Sequence, residues 1–224
     1  MLFTCSSIPN IQKKSLAFTL AEVLITLGII GVIAAITIPI LVGNSEEQKR
    51  TTQFKKLYAQ MGVAAGLVAE RNGGTMRGAY PDTQTDDLRD LFIPFLNSVD
   101  TCNMGECLPT DNPGLRYKYM TGAGYTWSFG NLYGFIMPDG SSYSFAGARN
   151  PCTVNSGDGK GAIYCAMIYI DINGPQGGPN RVGWDLYTIY LGDGFIAPSI
   201  YGGGFDNCSS HGYGCARYIL QGDK

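Results

Sequence analysis

A chain of 224 residues has room for one membrane segment and one soluble domain. With 16 Lys and Arg against 18 Asp and Glu, a net charge of −2, it has no basic face for a nucleic acid, whose phosphates draw affinity from clustered cations. Charged residues make up only 15 % of the sequence while Gly reaches 31 and Tyr 14, a balance that suits a loop-rich, strand-rich surface module better than a cytosolic enzyme.

Taken in chain order, the first element is an apolar run from Phe18 to Val42 in which Glu22 is the only charged residue. About 20 apolar residues in a helix cross a bilayer core, so this segment is long enough to span one. A removable secretory signal has a shorter apolar core, about 7–15 residues, followed by a small-residue cleavage site. Neither feature occurs near Val42. A plain signal anchor fits the length but leaves Glu22 unexplained, and an ionisable residue inside a span usually marks function.

The stretch KKSLAFTLAEVLITLGIIGVIAAITIPIL resembles the amino-terminal signature of type IV pilins and of the pseudopilins of type II secretion systems. A short basic leader and a small residue precede F-T-L-x-E and a long apolar helix. The resemblance covers about the first 60 residues. It implies a leader peptide over 1–17, cut between Ala17 and Phe18 by a prepilin peptidase, with N-methylation of the new amino group on Phe18. It also implies that Glu22 pairs with the terminal amine of a neighbouring subunit during assembly. A carboxylate that is unfavourable alone in lipid is compensated by a partner's ammonium. Ala17 stands where the family usually has Gly.

Gly28, Gly31 and Pro39 interrupt the aliphatic run. Pro removes one helical hydrogen bond and Gly lowers helix propensity, so these positions permit a kink or local melting; small residues equally mark a helix-packing face. Beyond Val42, apolar residues recur at Phe54, Leu57, Tyr58, Met61, Ala64, Ala65 and Val68, the three-and-four spacing of an amphipathic helix. The pattern predicts one stem helix from about Phe18 to Arg71, stopped by Asn72-Gly73-Gly74. A connection follows over Thr75–Leu115, in which Asp86–Leu96 forms a short helix ended by Pro94. Tyr117–Met120, Tyr125–Phe129, Tyr133–Met137, Ser142–Phe145, Ala162–Ile172 and Trp184–Leu191 read as strands, with Pro138-Asp139-Gly140 turning one hairpin. The fold class expected is α+β: a long N-terminal helix, half membrane-spanning and half amphipathic, packed on an antiparallel sheet in a pilin-like arrangement.

Seven cysteines occur, and loss of the leader removes Cys5. The remaining six, Cys102, Cys107, Cys152, Cys165, Cys208 and Cys215, read as disulfides of an exported domain. Their clustering favours Cys102–Cys107, Cys152–Cys165 and Cys208–Cys215. Zinc is disfavoured because no pair has C-x₂-C spacing and His211 is the only histidine. A hydrolytic triad lacks a base for the same reason, with His211 read as a loop residue. Asp171, Asn173 and Asp185 are candidate ligands for a structural calcium, since the major pseudopilins resembled here bind calcium in a loop between strands. The competing reading is that Asp-Ile-Asn-Gly and the Pro and Gly residues after it make two turns.

The chain is therefore expected to comprise a leader at 1–17, a transmembrane or fibre-core segment at 18–42, the amphipathic half of the stem at 43–71 and a globular domain at 72–224. The function expected is that of a structural subunit, not an enzyme, polymerising with copies of itself into a pseudopilus or type IV pilus. Its implied partners are the prepilin peptidase, an inner-membrane assembly platform and the membrane, with the globular domain outside the cytoplasm of a bacterial cell. The alternative is a minor pilin acting as a tip adhesin or a module that binds a secreted substrate. A membrane-anchored surface enzyme is a third class.

Overall fold

The computed structural model describes residues 19–108, 117–124, 132–154, 163–199 and 207–222. The expected leader with Cys5 and Ala17, the residue Phe18, and the strand expected over Tyr125–Phe129 lie outside the described residues. The molecule is of the α+β class, with an apolar N-terminal helix and an antiparallel six-stranded sheet.

Helix α1 runs Leu20–Arg71, and its backbone stays helical through Gly28, Gly31 and Pro39. The chain divides into two compact units between Glu46 and Glu47, slightly beyond the boundary expected at Val42. In the second unit the periodic residues do what their spacing predicts. Phe54, Leu57, Met61, Ala64, Ala65 and Val68 are buried on one face, Ala69 joins them, and Tyr58 is half-buried against the same core. The helix ends where two glycines take the left-handed conformation, Gly73 at φ 77° and Gly74 at φ 93°. Gly74 N–H then reaches the carbonyl of Ala69 at 2.8 Å and Gly73 N–H that of Glu70 at 3.1 Å, the crossed pair of bonds that satisfies the carbonyls of a last turn.

Helix α2, Thr85–Phe92, passes into a single 3₁₀ turn over Ile93–Phe95, close to the Asp86–Leu96 helix expected. Its buried Leu88 and Phe92 face the sheet, and the Phe92 ring lies 5.0 Å from that of Phe145. The sheet comprises β1 (Asp100–Cys102), β2 (Tyr133–Ile136), β3 (Ser142–Ala146), β6 (Ala166–Asp171), β7 (Leu186–Leu191) and β8 (Ile196–Pro198), hydrogen-bonded in that order and antiparallel throughout. A separate two-stranded ribbon pairs β4 (Thr153–Val154) with β5 (Ile163–Tyr164). The β2–β3 turn is the Pro138-Asp139-Gly140 hairpin, closed by Gly140 N–H on Met137 and by Met137 N–H on Ser141.

Four expectations need correction. Tyr117–Met120 is not a strand; only Lys118 makes isolated bridges, to Gly124 and Arg181, because the segment lies across the sheet's face rather than along its edge. Ala162–Ile172 splits at Cys165, whose half of a disulfide and whose N–H bond to Leu191 break the run between β5 and β6. Trp184 and Asp185 belong to the turn before β7. The connection after α1 contains an edge strand, β1, and the C-terminus adds α3 (Asn207–Ser210) and α4 (Cys215–Gln221).

Strand alternation gives the sheet two buried faces. Tyr143, Phe145, Ile168, Ile170, Tyr187, Ile189 and Leu191 join α1 in the main core. On the other face Tyr169 and Leu186 pack under a smaller cluster with Leu108, Tyr117, Leu132, Val182 and Tyr213. Three disulfides tie down the loops around these layers: Cys102–Cys107, Cys152–Cys165 and Cys208–Cys215, the local pairs that the cysteine clustering favours. The Cys152–Cys165 bridge closes the longest loop, at a sequence separation of 13. Replacing Cys152 and Cys165 together by Ala is expected to cost about 3 kcal/mol by the loop-entropy relation. Denaturant unfolding of the full chain in detergent measures it, and an unchanged midpoint would show that the bridge constrains nothing.

Candidate functional site

The N-terminal segment is built around Thr19 and Glu22. Thr19 precedes the first helical residue, Leu20, and Glu22 is the third residue of the helix. Glu22 Oε2 accepts the Thr19 N–H at 2.9 Å and the Thr19 hydroxyl at 2.8 Å, while Thr19 Oγ1 accepts the Glu22 N–H at 3.2 Å. This is a reciprocal capping box, which satisfies backbone donors that the first turn of any helix leaves without partners. The sequence carried its signal, Thr-x-x-Glu before an apolar run, and the reading of Glu22 as an isolated carboxylate missed it. Glu22 Oε1 makes no hydrogen bond among the described residues.

From Leu20 to Ile38 the helix has a mean hydropathy of 2.4 and is apolar and long enough to cross a membrane, consistent with a single-pass membrane protein. None of that stretch is buried, with Val23 42 % and Leu20 79 % exposed. Gly28 and Gly31 have nothing within 4 Å of where a side chain would stand. Among the described residues these aliphatic side chains meet no protein surface, and water is their least favourable surrounding.

Asp171 and Asp185, the two calcium candidates with carboxylates, lie where β6 ends and β7 begins. Asp171 closes β6, and Asp185 immediately precedes Leu186, its cross-strand partner's residue. Both are fully buried. Asp171 accepts the Tyr117 hydroxyl on Oδ2 and the Asn173 N–H on Oδ1. Asp185 accepts the Asn180 N–H at 2.7 Å and the Arg181 N–H at 2.5 Å, one on each oxygen. The Asn173 side chain donates Nδ2 to the Gly178 carbonyl at 2.8 Å. A calcium ion needs the same carboxylate lone pairs, and here all four oxygens face hydrogen donors. Among the described residues no group of three or more acidic, His or Cys side chains is placed to hold a metal. In this arrangement Asp171, Asn173 and Asp185 staple the two turns between β6 and β7, as the competing reading expects.

Burial pushes the Asp171 carboxyl up to about 7 and the nearby Asp185 charge adds to the rise, against the lowering effect of the hydrogen bonds from Tyr117, Asn173 and Gly174. Asp185 is also raised by burial, partly offset by the backbone N–H groups around it. Burial and the Asp171 charge hold the Tyr117 hydroxyl well above its ordinary range. The cluster is therefore protonated more readily in the folded chain than in the unfolded one.

His211 is exposed in the turn after α3, with Ser210 Oγ 2.9 Å from its Nδ1 and the Tyr119 ring meeting it edge-on at 4.9 Å. Nearby, Cys215 and Val182 approach Gly212, at φ 91°, and Gly183 so closely that neither glycine has room for a Cβ. That contact seats the C-terminal disulfide loop on the turn that Asp185 holds.

Two outcomes follow for Asp171. The folded-state proton is held more tightly between the ordinary carboxylate value of 3.8 and about 7, so stability falls as pH rises through that window. The melting midpoint should decline from pH 5 to pH 8, and Asp171→Asn, which keeps an acceptor for Tyr117, should flatten the slope; an equal slope in both proteins would remove Asp171 as its source. Adding a chelator should leave the midpoint unchanged, whereas a cation held at 100 times its Kd would have contributed about 2.7 kcal/mol, a shift of roughly 5–10 °C on removal. Compared with protein-family models, with curated proteins and with solved structures, the chain matches none.

Proposed function

We propose that this chain is a prepilin-type structural subunit. Its leader is removed between Ala17 and Phe18, Phe18 is N-methylated, and the apolar part of α1 becomes the core of a pseudopilus or type IV pilus. The observation that carries this reading is the start of α1. A helix that is apolar and unburied from Leu20 to Ile38 begins three residues after Ala17, the small residue that ends the basic leader of this reading, with Glu22 its only charge before Val42. Packing that surface among copies of itself buries it, and so does a bilayer; a subunit that waits in a membrane and then polymerises uses both.

Glu22 has two roles in this reading. Its Oε2 closes the capping box with Thr19, which fixes the carboxylate beside the helix start. Its Oε1, which makes no hydrogen bond among the described residues, is left for the Phe18 ammonium of a neighbour, so each docked subunit neutralises a charge that is costly in lipid. The helix that follows, packed on an antiparallel sheet, is the pilin-like arrangement that would carry the fibre's outer surface. Three disulfides favour an oxidising location for that domain, outside the cytoplasm. The prepilin peptidase and an inner-membrane platform enter as partners by the same reading.

Intact mass spectrometry of the chain from its native membrane tests the proposal. The expected mass is that of a chain starting at Phe18, carrying one methyl group and lacking six hydrogens. An uncleaved chain would overturn it. Glu22→Ala should be recovered in the membrane but assemble at least roughly tenfold less fibre, because the docking charge pair is gone. Fibre yield equal to the wild type would remove Glu22 from assembly.

A further inference from the structure

The segment that lies across the second face of the sheet pairs with the turn before β7. Lys118 N–H donates to the Asn180 carbonyl at 2.8 Å and Val182 N–H donates to the Lys118 carbonyl at 2.8 Å, a parallel bridge that sets Lys118 directly beside Arg181. Side chains alternate along both segments. Tyr117, Asn180 and Val182 are buried, whereas Lys118 is exposed and Arg181 half-buried. Two cations therefore stand side by side on the outer face, on backbones about 4.8 Å apart. Among the described residues no carboxylate lies within ion-pair distance of either side chain. Asp185, the acid nearest to Arg181 in sequence, is fully buried and accepts the backbone N–H groups of Asn180 and Arg181 instead. Like charges directly opposite each other across a strand pair are destabilising. The bridge itself uses backbone atoms alone, so the fold does not need a cation at either position. Arg181 Nε is withdrawn from water with no acceptor, which packs the stem against the protein and leaves the guanidinium to meet a partner through its terminal nitrogens. On the other flank of Lys118 the bridge partner is Gly124, which has nothing within 4 Å of where a side chain would stand.

We propose that Lys118 and Arg181 form a binding site for a phosphoryl dianion. Charge decides the class of ligand. A carboxylate carries one negative charge and is satisfied by a single cation, whereas a phosphate group carries about −1.5 to −2 at pH 7 and offers three acceptor oxygens. Arg supplies a planar fork that takes two oxygens, and Lys a mobile point charge for another. A dianion seated between them turns the cross-strand repulsion into two attractions. The packed Arg181 stem gives up little freedom when the ligand arrives. This site belongs to the globular unit and does not depend on the fibre reading.

Calorimetric titration of the full chain in detergent, in chloride at constant ionic strength, tests the site with inorganic phosphate and with glycerol phosphate in separate runs. The expected result is one saturable site, weakened roughly tenfold or more in Arg181→Gln and in Lys118→Gln. Arg181→Lys, which keeps the charge and loses the fork, should fall between the wild type and Arg181→Gln. Tighter binding of the ester assigns the site to a phosphoryl group carried on a larger molecule, and an ester that binds no tighter assigns it to the free ion. Acetate should give no saturable heat, and acetate binding as tightly as phosphate overturns the dianion class. No saturable heat from either phosphate, or heat unchanged in both Gln variants, overturns the site. In chloride alone Lys118→Gln should melt no lower than the wild type, because it removes a repulsion. A lower midpoint would show that Lys118 already has a partner, and it too would overturn the site.

Discussion

The burial of one face of α1 against the sheet is the contact on which the rest of the globular unit depends. Phe54, Leu57, Met61 and Val68 are each withdrawn from water there, at about 1.5–3 kcal/mol for a large apolar side chain. Polar contacts then fix the helix's rotation. The Tyr143 hydroxyl donates to the Leu57 carbonyl at 2.9 Å, Gln53 donates to the Ile172 carbonyl, and the Phe54 ring lies 4.2 Å from that of Tyr187. The exposed Lys56–Asp139 pair adds at most about 1 kcal/mol and cannot compete with that burial. With the inward face decided by hydrophobic area, the outward positions Thr52, Lys55, Ala59, Val63, Leu67 and Glu70 are decided as well.

Elements with a strong period were legible from sequence, and those held by tertiary partners were not. The three-and-four spacing from Phe54 to Val68 named the buried face of α1, and Asn72-Gly73-Gly74 named its end, because both signals act within a few residues. β3 and the β2–β3 turn were legible for the same reason. β1 was not, since Asp100–Cys102 has no alternation of its own and is a strand only through its pairing with Gly134–Ile136. Tyr117–Met120 misled because aromatic residues suit a strand and also suit a lid on a sheet's second face, and sequence cannot tell the two apart. At the candidate sites, oxygen-rich composition pointed to Asp171 and Asp185, but their donors, Tyr117 and the amides of Asn173, Asn180 and Arg181, are brought in by long-range folding and turn geometry.

Glu22 shows how a local explanation and the assembly role proposed for it fit in one side chain. The capping box alone accounts for a carboxylate at the third helical position, and it would do so in any soluble helix. What it does not account for is the setting. A neutral Gln at the same position also completes a capping box, with no charge to bring into an apolar environment. Retaining the charge makes sense where a cation arrives to meet it. The capping bonds occupy Oε2 and the Thr19 hydroxyl, which leaves the second oxygen positioned rather than mobile, and a pre-positioned acceptor loses less freedom when its partner docks.

The two faces of the sheet are stabilised by different physics, and so they answer to different conditions. The α1 face relies on apolar area, which is insensitive to protons, with Cys152, Cys165 and Cys215 among its core residues. The opposite face has a smaller apolar cluster and must cover long turns, whose backbone N–H groups would be costly if buried without acceptors. Asp171 and Asp185 supply those acceptors at the cost of placing two like charges near each other in a buried site, a cost that falls when one of them takes a proton. Disulfides do the remaining work on that side: Cys208–Cys215 ties the C-terminal loop, whose Gly212 seats against Val182, to the turn that Asp185 organises. Rising pH therefore loosens the second face first, while α1 remains held to the sheet by its apolar core.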